Sequence, residues 1–377
     1  MNIIASKKKI LFFLWSFSLG GGAEKILSTI VSNLDLEKYQ IDILEMEHFD
    51  KGYEAVPEGV SILKPYKKKS YGRFIDAILW RLRIYFPTLV RNWLVKDDYD
   101  IEVSFTIMNP AFPFSKRKEV KKIAWIHGSI EAFLKEEQAY YRNNHFEQLS
   151  NADKIIAISK KTRESIETVY PMFQNKIQTI YNGYDFTALL EKSEEIPPVT
   201  LEKNSICVIG RLEDLKGTDR VLEVFNKLQN EVNDVHLYYI GSGEQESFLK
   251  EEVERLHLQN KVHFLGYQKN PYSILKQAKV LLSLSKQEGF SGAVVEAVTL
   301  GIPFVSTNVG GALELSNDGQ FGEVIDTNQE AVDALKKYIT GEKRISEHYS
   351  EFIQQFTIEK QLQQIEELFQ SSKEERS

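Results

Sequence analysis

Residues 7–25 read KKKILFFLWSFSLGGGAEK, and two readings of this stretch lead to different proteins. A basic flank followed by about ten mostly apolar residues has the layout of a secretory signal. The alternative is a buried parallel strand over Ile10–Trp15, a glycine loop, and a helix from about Ala23. The glycines stand where a strand-to-helix turn needs them, and Glu24-Lys25-Ile26-Leu27 continues as an amphipathic helix. That pattern favours the strand, and it makes residues 7–25 the opening of an α/β domain.

Beyond this stretch, short apolar strands alternate with helices, the pattern of parallel α/β sheets. Strands are expected near Ile10–Trp15, Ile41–Glu45, Ile101–Phe105, Ile123–His127, Lys154–Ile158 and Ile177–Tyr181. Residues 191–205, EKSEEIPPVTLEKNS, are acidic, carry Pro197-Pro198 and read as a linker. The alternation restarts at Ile206–Ile209, His236–Ile240, Val262–Leu265, Val280–Leu284 and Pro303–Ser306. The tail from about Ser346 reads as helical, with Leu362, Ile365, Leu368 and Phe369 on one face. The expected fold is two doubly wound α/β domains, 1–188 and 205–350, with a linker at 189–204 and a C-terminal helix in 351–377. Two such domains facing each other leave a cleft onto which the strands' carboxyl ends open.

Bulk numbers agree. A chain of 377 residues is long for one core and suits two domains. Its 54 acidic and 47 basic residues leave a net charge of −7, which speaks against a nucleic-acid partner. One cysteine, Cys207, excludes an internal disulfide framework and fits a reducing cytoplasm. No apolar run reaches the roughly 18 to 20 residues of a membrane span.

Five constellations fall at expected strand ends. In LGGGAEK, 19–25, Gly21 and Gly22 let backbone approach a ligand ahead of a helix N-terminus, although a tight turn explains the glycines equally well. A dinucleotide fingerprint would need a glycine at Lys25, so a nicotinamide dehydrogenase is disfavoured. In IGRLEDLKGTDRVL, 209–222, Arg211 and Lys216 precede a helix from about Thr218 and can neutralise a diphosphate. YIGSGEQ, 239–245, and VHFLGY, 262–267, are strand ends running into glycine, where a flat base fits near Leu265–Tyr267, although ordinary strand-to-helix turns explain them at least as well. In EGFSGAVVE, 288–296, Glu288 sits in a loop and Glu296 about one turn inside a helix beginning at Gly292. The unbonded N–H groups of Phe290, Ser291, Gly292 and Ala293 lie between them. An anion suits those amides, and flanking carboxylates suit sugar hydroxyls. The fifth is AWIHGS, 124–129, where His127 ends a strand.

Taken together these motifs resemble the family 4 glycosyltransferases, retaining enzymes of the GT-B fold that use nucleotide sugars. The likeness runs through GGGAEK, His127-Gly128, Tyr181-Asn182-Gly183-Tyr184-Asp185, GRLEDLKG and EGFSGAVVEAVTLGIPFVSTNVGG, 288–311, in order. The resemblance implies that Arg211 and Lys216 hold the donor diphosphate. It implies that Glu288 contacts the transferred sugar, Glu296 the ribose, and backbone at Phe290, Ser291 and Gly292 the phosphates. His127 would lie by the reacting sugar, Gly21 and Gly22 would border donor phosphates and acceptor, and the C-terminal helix would cross back to the first domain. A UDP-sugar is the default donor, no cofactor or divalent metal is expected, and the acceptor is a glycan or lipid-linked saccharide. The chain departs from the family at Ser291-Gly292, where glycine followed by a larger apolar residue is common, so donor identity stays open. A sugar-nucleotide epimerase and a non-catalytic partner subunit are the competing classes; intact Arg211, Lys216, Glu288 and Glu296 argue against the latter.

Two stretches remain. Asp98-Tyr99-Asp100 spells the D-x-D of metal-dependent transferases, but it precedes the strand Ile101–Phe105 and reads as a strand entry. Residues 64–96 carry nine Lys/Arg against one acid, Asp76, interleaved with aromatics. That composition suits an anionic membrane surface, and it equally suits a helix that buries its aromatics. The expected location is the cytoplasm, peripheral on the inner membrane face.

Overall fold

The computed structural model describes residues 7–49, 55–136 and 139–371. They form two compact units, one of residues up to Gly183 plus the chain from Ile358, the other Tyr184–Thr357. The first holds seven strands: β1 Lys8–Leu14, β2 Tyr39–Glu45, β3 Val60–Ile62, β4 Ile101–Ser104, β5 Lys121–Ile126, β6 Lys154–Ala157 and β7 Ile177–Thr179. All pair in parallel, in the order β3-β2-β1-β4-β5-β6-β7. β1 is central, with Ile10 to Leu14 fully buried, which is why it reads as an unbroken apolar run.

The second unit holds β8 Ser205–Ile209, β9 His236–Ile240, β10 Val262–Phe264, β11 Val280–Ser283, β12 Phe304–Thr307 and β13 Gly322–Ile325. It too is all parallel, in the order β10-β9-β8-β11-β12-β13. Strand order reverses direction beside β1 in one sheet and beside β8 in the other. Ligands of doubly wound sheets collect at those switch points. The short strands β3 and β13 were not expected: VSI and GEVI are too brief to carry a periodic signal.

The expected linker needs redrawing. Residues Phe186–Ser193 form a helix of the second unit, capped by Asp185, whose Oδ1 accepts from the Ala188 N–H at 2.9 Å. Of the acids in 191–205 only Glu191 falls in this helix; Glu194, Glu195 and Glu202 follow it in non-helical chain. The helix Ile358–Gln370 counts with the first unit. It buries Ile365, Leu368 and Phe369, stacks Phe369 edge-on to Tyr39, and has its C-terminal carbonyls bonded by the Lys121 ammonium. Residues 372–377 of the expected tail lie outside the described residues.

Asp98-Tyr99-Asp100 enters β4 at the sheet's amino edge. Asp98 pairs with Arg117, Asp100 Oδ2 accepts the Lys9 N–H at 2.8 Å, and the Tyr99 hydroxyl donates to Asp42 at 2.6 Å. Burial first, and then the bond to Asp42, push the Tyr99 phenol's pKa up. The triplet thus ties β1, β2 and β4 together.

Candidate functional site

In the second unit the loops after β8 and β11 lie side by side at the switch point. The Lys286 N–H donates to the Leu215 carbonyl at 2.9 Å, and the Lys286 ammonium reaches Asp214 at 2.6 Å. Gly217, at φ 61°, passes so close to the Leu284 carbonyl that a Cβ would stand 2.1 Å from its oxygen. This contact brings Lys216 to Glu288: Nζ to Oε1 is 2.6 Å. The same oxygen accepts from the Ser285 hydroxyl at 2.8 Å, and the Ser285 carbonyl is held by Thr307 Oγ1 at 2.6 Å. A partly exposed ion pair contributes about 1 kcal/mol or less. Its main effect is therefore positional, setting an ammonium and a carboxylate at one sheet edge. Arg211 is more open, its side chain 76% exposed and 3.0 Å from Glu213.

The helix Gly292–Thr299 starts from the same loop. Its first internal bond runs from the Val295 N–H to the Ser291 carbonyl, so the amides of Gly292, Ala293 and Val294 have no acceptor inside the helix. The Phe290 ring is buried, 5.3 Å from the Phe356 ring, and a Cβ on Gly311 would meet it at 2.3 Å. The loop is thus anchored by the Phe290 side chain, leaving its backbone as the part a ligand can meet. Further along, Glu296 Oε1 accepts from the Tyr272 hydroxyl at 3.3 Å. Burial, and then the Glu296 charge, hold that phenol's pKa above its usual range. At the outer edge the Leu265 N–H bonds the Tyr239 carbonyl at 2.9 Å, and Tyr267 is exposed.

In the first unit's loop after β1, Gly20 is the residue whose left-handed φ, 71°, needs glycine. Gly21 is the extended residue before the helix Gly22–Asn33, and at Gly22 a Cβ would meet nothing within 4 Å. His127 directly follows β5, against Phe105, 4.7 Å between ring centres, and stacks on Trp125. Its Nε2 is buried without a hydrogen-bond partner among the described residues. Burial lowers its pKa to about 4, against an opposing backbone hydrogen bond with Phe105. The ring is therefore neutral at pH 7, offering one donor and one acceptor rather than a positive charge.

Residues 64–96 form two helices, Arg73–Tyr85 and Pro87–Leu94, turned opposite to a buried-aromatic arrangement. Phe74, Ile75, Ile78, Trp80, Tyr85, Phe86, Leu89 and Trp93 are exposed. Arg83 and Arg91 point inward instead: Arg83 donates to the Pro110 carbonyl at 2.7 Å and lies over Trp15, and Arg91 pairs with the buried Glu102. So two of the nine basic residues serve the interior, and the aromatics other than the buried Tyr66 are exposed. Among the described residues no helix is long and apolar enough to cross a membrane.

Two family models match in tandem: Glycosyltransferase Family 4 over residues 20–188 and Glycosyl transferases group 1 over residues 190–374. The chain belongs to the family 4 glycosyltransferases. Its two parallel-sheet units are the Rossmann-like domains of the GT-B fold; the Anabaena HepE structure in complex with UDP has this fold, with a TM-score of 0.72 at 17% identity, over 97% of this chain and 100% of that one. This glycosyltransferase is also similar to the Campylobacter jejuni N-acetylgalactosamine-N,N'-diacetylbacillosaminyl-diphospho-undecaprenol 4-alpha-N-acetylgalactosaminyltransferase, 26% identical over 330 residues, 83% of this chain and 85% of that protein. An uncharacterized glycosyltransferase of Methanocaldococcus jannaschii is 28% identical over 261 residues, 66% of this chain. The match spans 61% of that relative, less than two thirds of its length.

Of the sequence-predicted residues in the second unit, Lys216 and Glu288 touch, and Phe290 and Ser291 belong to the same loop. Arg211 turns to Glu213 and Glu296 to Tyr272. Sequence reading missed Ser285 and Tyr272, which hold the two glutamates. Ser285 stands three residues before Glu288, a visible spacing; Tyr272 carries no comparable signal, since its partner lies 24 residues away.

Proposed function

We propose that this protein is a retaining, metal-independent glycosyltransferase. It moves a hexose or N-acetylhexosamine from a nucleoside diphosphate sugar, UDP favoured, to a sugar hydroxyl of a glycan or lipid-linked acceptor in surface polysaccharide or glycoconjugate synthesis. The observation that carries this reading is the Lys216–Glu288 contact, 2.6 Å, at the switch point beside a helix whose first amides have no acceptor within the helix. UDP in the HepE complex supports the nucleotide, and the diphospho-undecaprenol in the Campylobacter relative's name supports a lipid-linked acceptor.

In this reading Arg211 and Lys216 neutralise the diphosphate together with the amides at Phe290, Ser291 and Gly292. Charge on the leaving group then develops where positive potential is already fixed. Glu288 binds the transferred sugar, Glu296 the ribose, and the Leu265–Tyr267 edge the base. His127, neutral, hydrogen-bonds the reacting sugar, and Gly21 and Gly22 border the phosphates and acceptor. The acceptor attacks on the face the diphosphate leaves, and the departing phosphate takes its proton.

The test is release of nucleoside diphosphate from a panel of UDP-, GDP- and dTDP-sugars with chelator present. One donor should be turned over, and the Arg211→Ala/Lys216→Ala protein should lose that turnover. Activity that needs added manganese would sink the metal-independent mechanism, and no binding of any nucleotide sugar would sink the assignment.

The exposed aromatic face of 73–94, with Lys68, Lys69, Arg73 and Arg81 around it, is proposed to rest on anionic lipid. The protein is expected to co-sediment with phosphatidylglycerol vesicles at low salt, and Phe74→Ser/Trp80→Ser/Trp93→Ser to stay in solution. Equal sedimentation of both proteins would remove this surface from membrane binding.

A further inference from the structure

The loop between β1 and the first helix is held from the end of β2. Glu45, the last residue of β2, is fully buried. Its Oε2 accepts the N–H groups of Phe17 at 2.9 Å and Ser18 at 3.0 Å and the Ser18 hydroxyl at 2.8 Å. Its Oε1 lies 2.7 Å from His48 Nδ1. Ser18 Oγ also accepts the Phe49 N–H at 2.8 Å, and Ser16 Oγ accepts the Leu19 N–H at 3.1 Å. In dinucleotide domains an acid at the end of the second strand faces the ribose hydroxyls. Here the acid at that place is turned inward, one oxygen taken by the Phe17 and Ser18 amides and the Ser18 hydroxyl, the other by the His48 ring.

Burial alone would raise this carboxyl's pKa, but the Phe17 amide, His48 and Ser18 outweigh it and hold the group ionised. A buried charge is costly unless its partners are in place. The loop's conformation and the charge therefore depend on each other.

We infer that Glu45 is a positioning residue for the glycine loop. Its carboxylate acts as a built-in anion on the amides of Phe17 and Ser18, and so leaves Gly20–Gly22 as the part of the loop presented to a ligand. The identity of that ligand, a donor phosphate, rests on the transferase reading proposed above; the bracing of the loop does not.

Two variants separate geometry from charge. Glu45→Ala removes the acceptor. Glu45→Gln keeps a carbonyl oxygen for the two amides and places an N–H2 toward the His48 ring. Amide hydrogen exchange over residues 15–23 and steady-state transfer are measured side by side, with affinity for free UDP as the third reading. Glu45→Ala is expected to speed loop exchange at least about tenfold and to lower kcat about 10²-fold, the scale of an ångström-level misplacement. UDP affinity should fall by less than kcat, because Arg211 and Lys216 of the second unit are proposed to carry most of the diphosphate's binding while the glycine loop only borders it. Glu45→Gln should recover kcat to within about tenfold of wild type. Unchanged loop exchange in Glu45→Ala overturns the inference, and so does faster exchange with unchanged kcat. If wild type transfers no sugar yet exchange responds as expected, the bracing role stands and the transferase reading falls. Should Glu45→Ala not fold, Ser18→Ala, which removes the hydroxyl joining Glu45 to Phe49, replaces it. Unchanged exchange and kcat there would count against the inference.

Discussion

Glu288→Gln is expected to lower sugar transfer by about 10²- to 10³-fold, the scale for losing one preorganised electrostatic contact, while leaving the fold intact. The change is isosteric. The amide oxygen can still accept from the Ser285 hydroxyl, now 2.8 Å from Oε1, and the Thr307 bond to the Ser285 carbonyl is untouched. Only the negative charge opposite Lys216 is lost. A pair with one member 29% and the other 14% exposed is not a major source of stability, so the melting temperature should move by a few degrees at most. A rival role is distinguishable. If Glu288 served merely as counter-ion to Lys216, glutamine would free the ammonium for the diphosphate. Free UDP would then bind more tightly, with near-normal kcat. If Glu288 contacts the transferred sugar, kcat falls and UDP affinity rises little or not at all. A near-wild-type turnover number would exclude it from the reacting centre.

The parts legible in the sequence share a physical cause. β1 and β8 are buried on both faces, so ILFFL and SICVI read as strands without any partner in view. The helix Gly292–Thr299 begins where EGFSG breaks the strand pattern, and the loop before it carries the glutamate that meets Lys216. What stayed hidden depends on side chains reaching across strand order. Glu45 reads as an ordinary polar strand end, yet it braces a loop 27 residues earlier. Tyr272 reads as an aromatic after a turn, yet it holds Glu296. The orientation of the 73–94 helices was hidden for a different reason. Arginine and tryptophan both cover apolar surface and both reach solvent, so composition does not say which faces inward. Only the partners do, Pro110 and Trp15 for Arg83 and Glu102 for Arg91. The edge strands β3 and β13 and the helix Phe186–Ser193, which straddles the start of the expected linker, were too short to stand out.

Gly241→Ala should cost the second unit more than about 4 kcal/mol, in the range reserved for a named structural failure. Gly241 has φ 148°, a region that side-chain-bearing residues rarely enter, and the backbone strain alone costs about 1–3 kcal/mol. An alanine Cβ would also stand 1.8 Å from the Gly210 carbonyl oxygen, a main-chain atom that no rotamer change can move. Relieving that overlap means separating the loops after β8 and β9. Three main-chain bonds hold them and the next loop: Gly210 N–H to Ile240 at 3.1 Å, Leu212 N–H to Ser242 at 3.1 Å, and Gly241 N–H to Gly266 at 2.9 Å. Each net bond is worth about 1 kcal/mol, and leaving its groups buried without partners costs more. Arg211 hangs from the displaced segment, so nucleotide affinity should fall together with stability, read by urea titration and by UDP binding on the same samples. Gly22 shows the contrast. A Cβ there meets nothing, so the glycine has no packing reason, and alanine at that position probes close approach of a ligand instead of fold. The two glycine loops look alike in sequence, but one is glycine for the sake of its neighbouring backbone and the other for the space in front of it. An unfolding free energy for Gly241→Ala within about 1 kcal/mol of wild type would show that the loops after β8 and β9 can part without cost. The packing that places Arg211 would then be looser than these distances require.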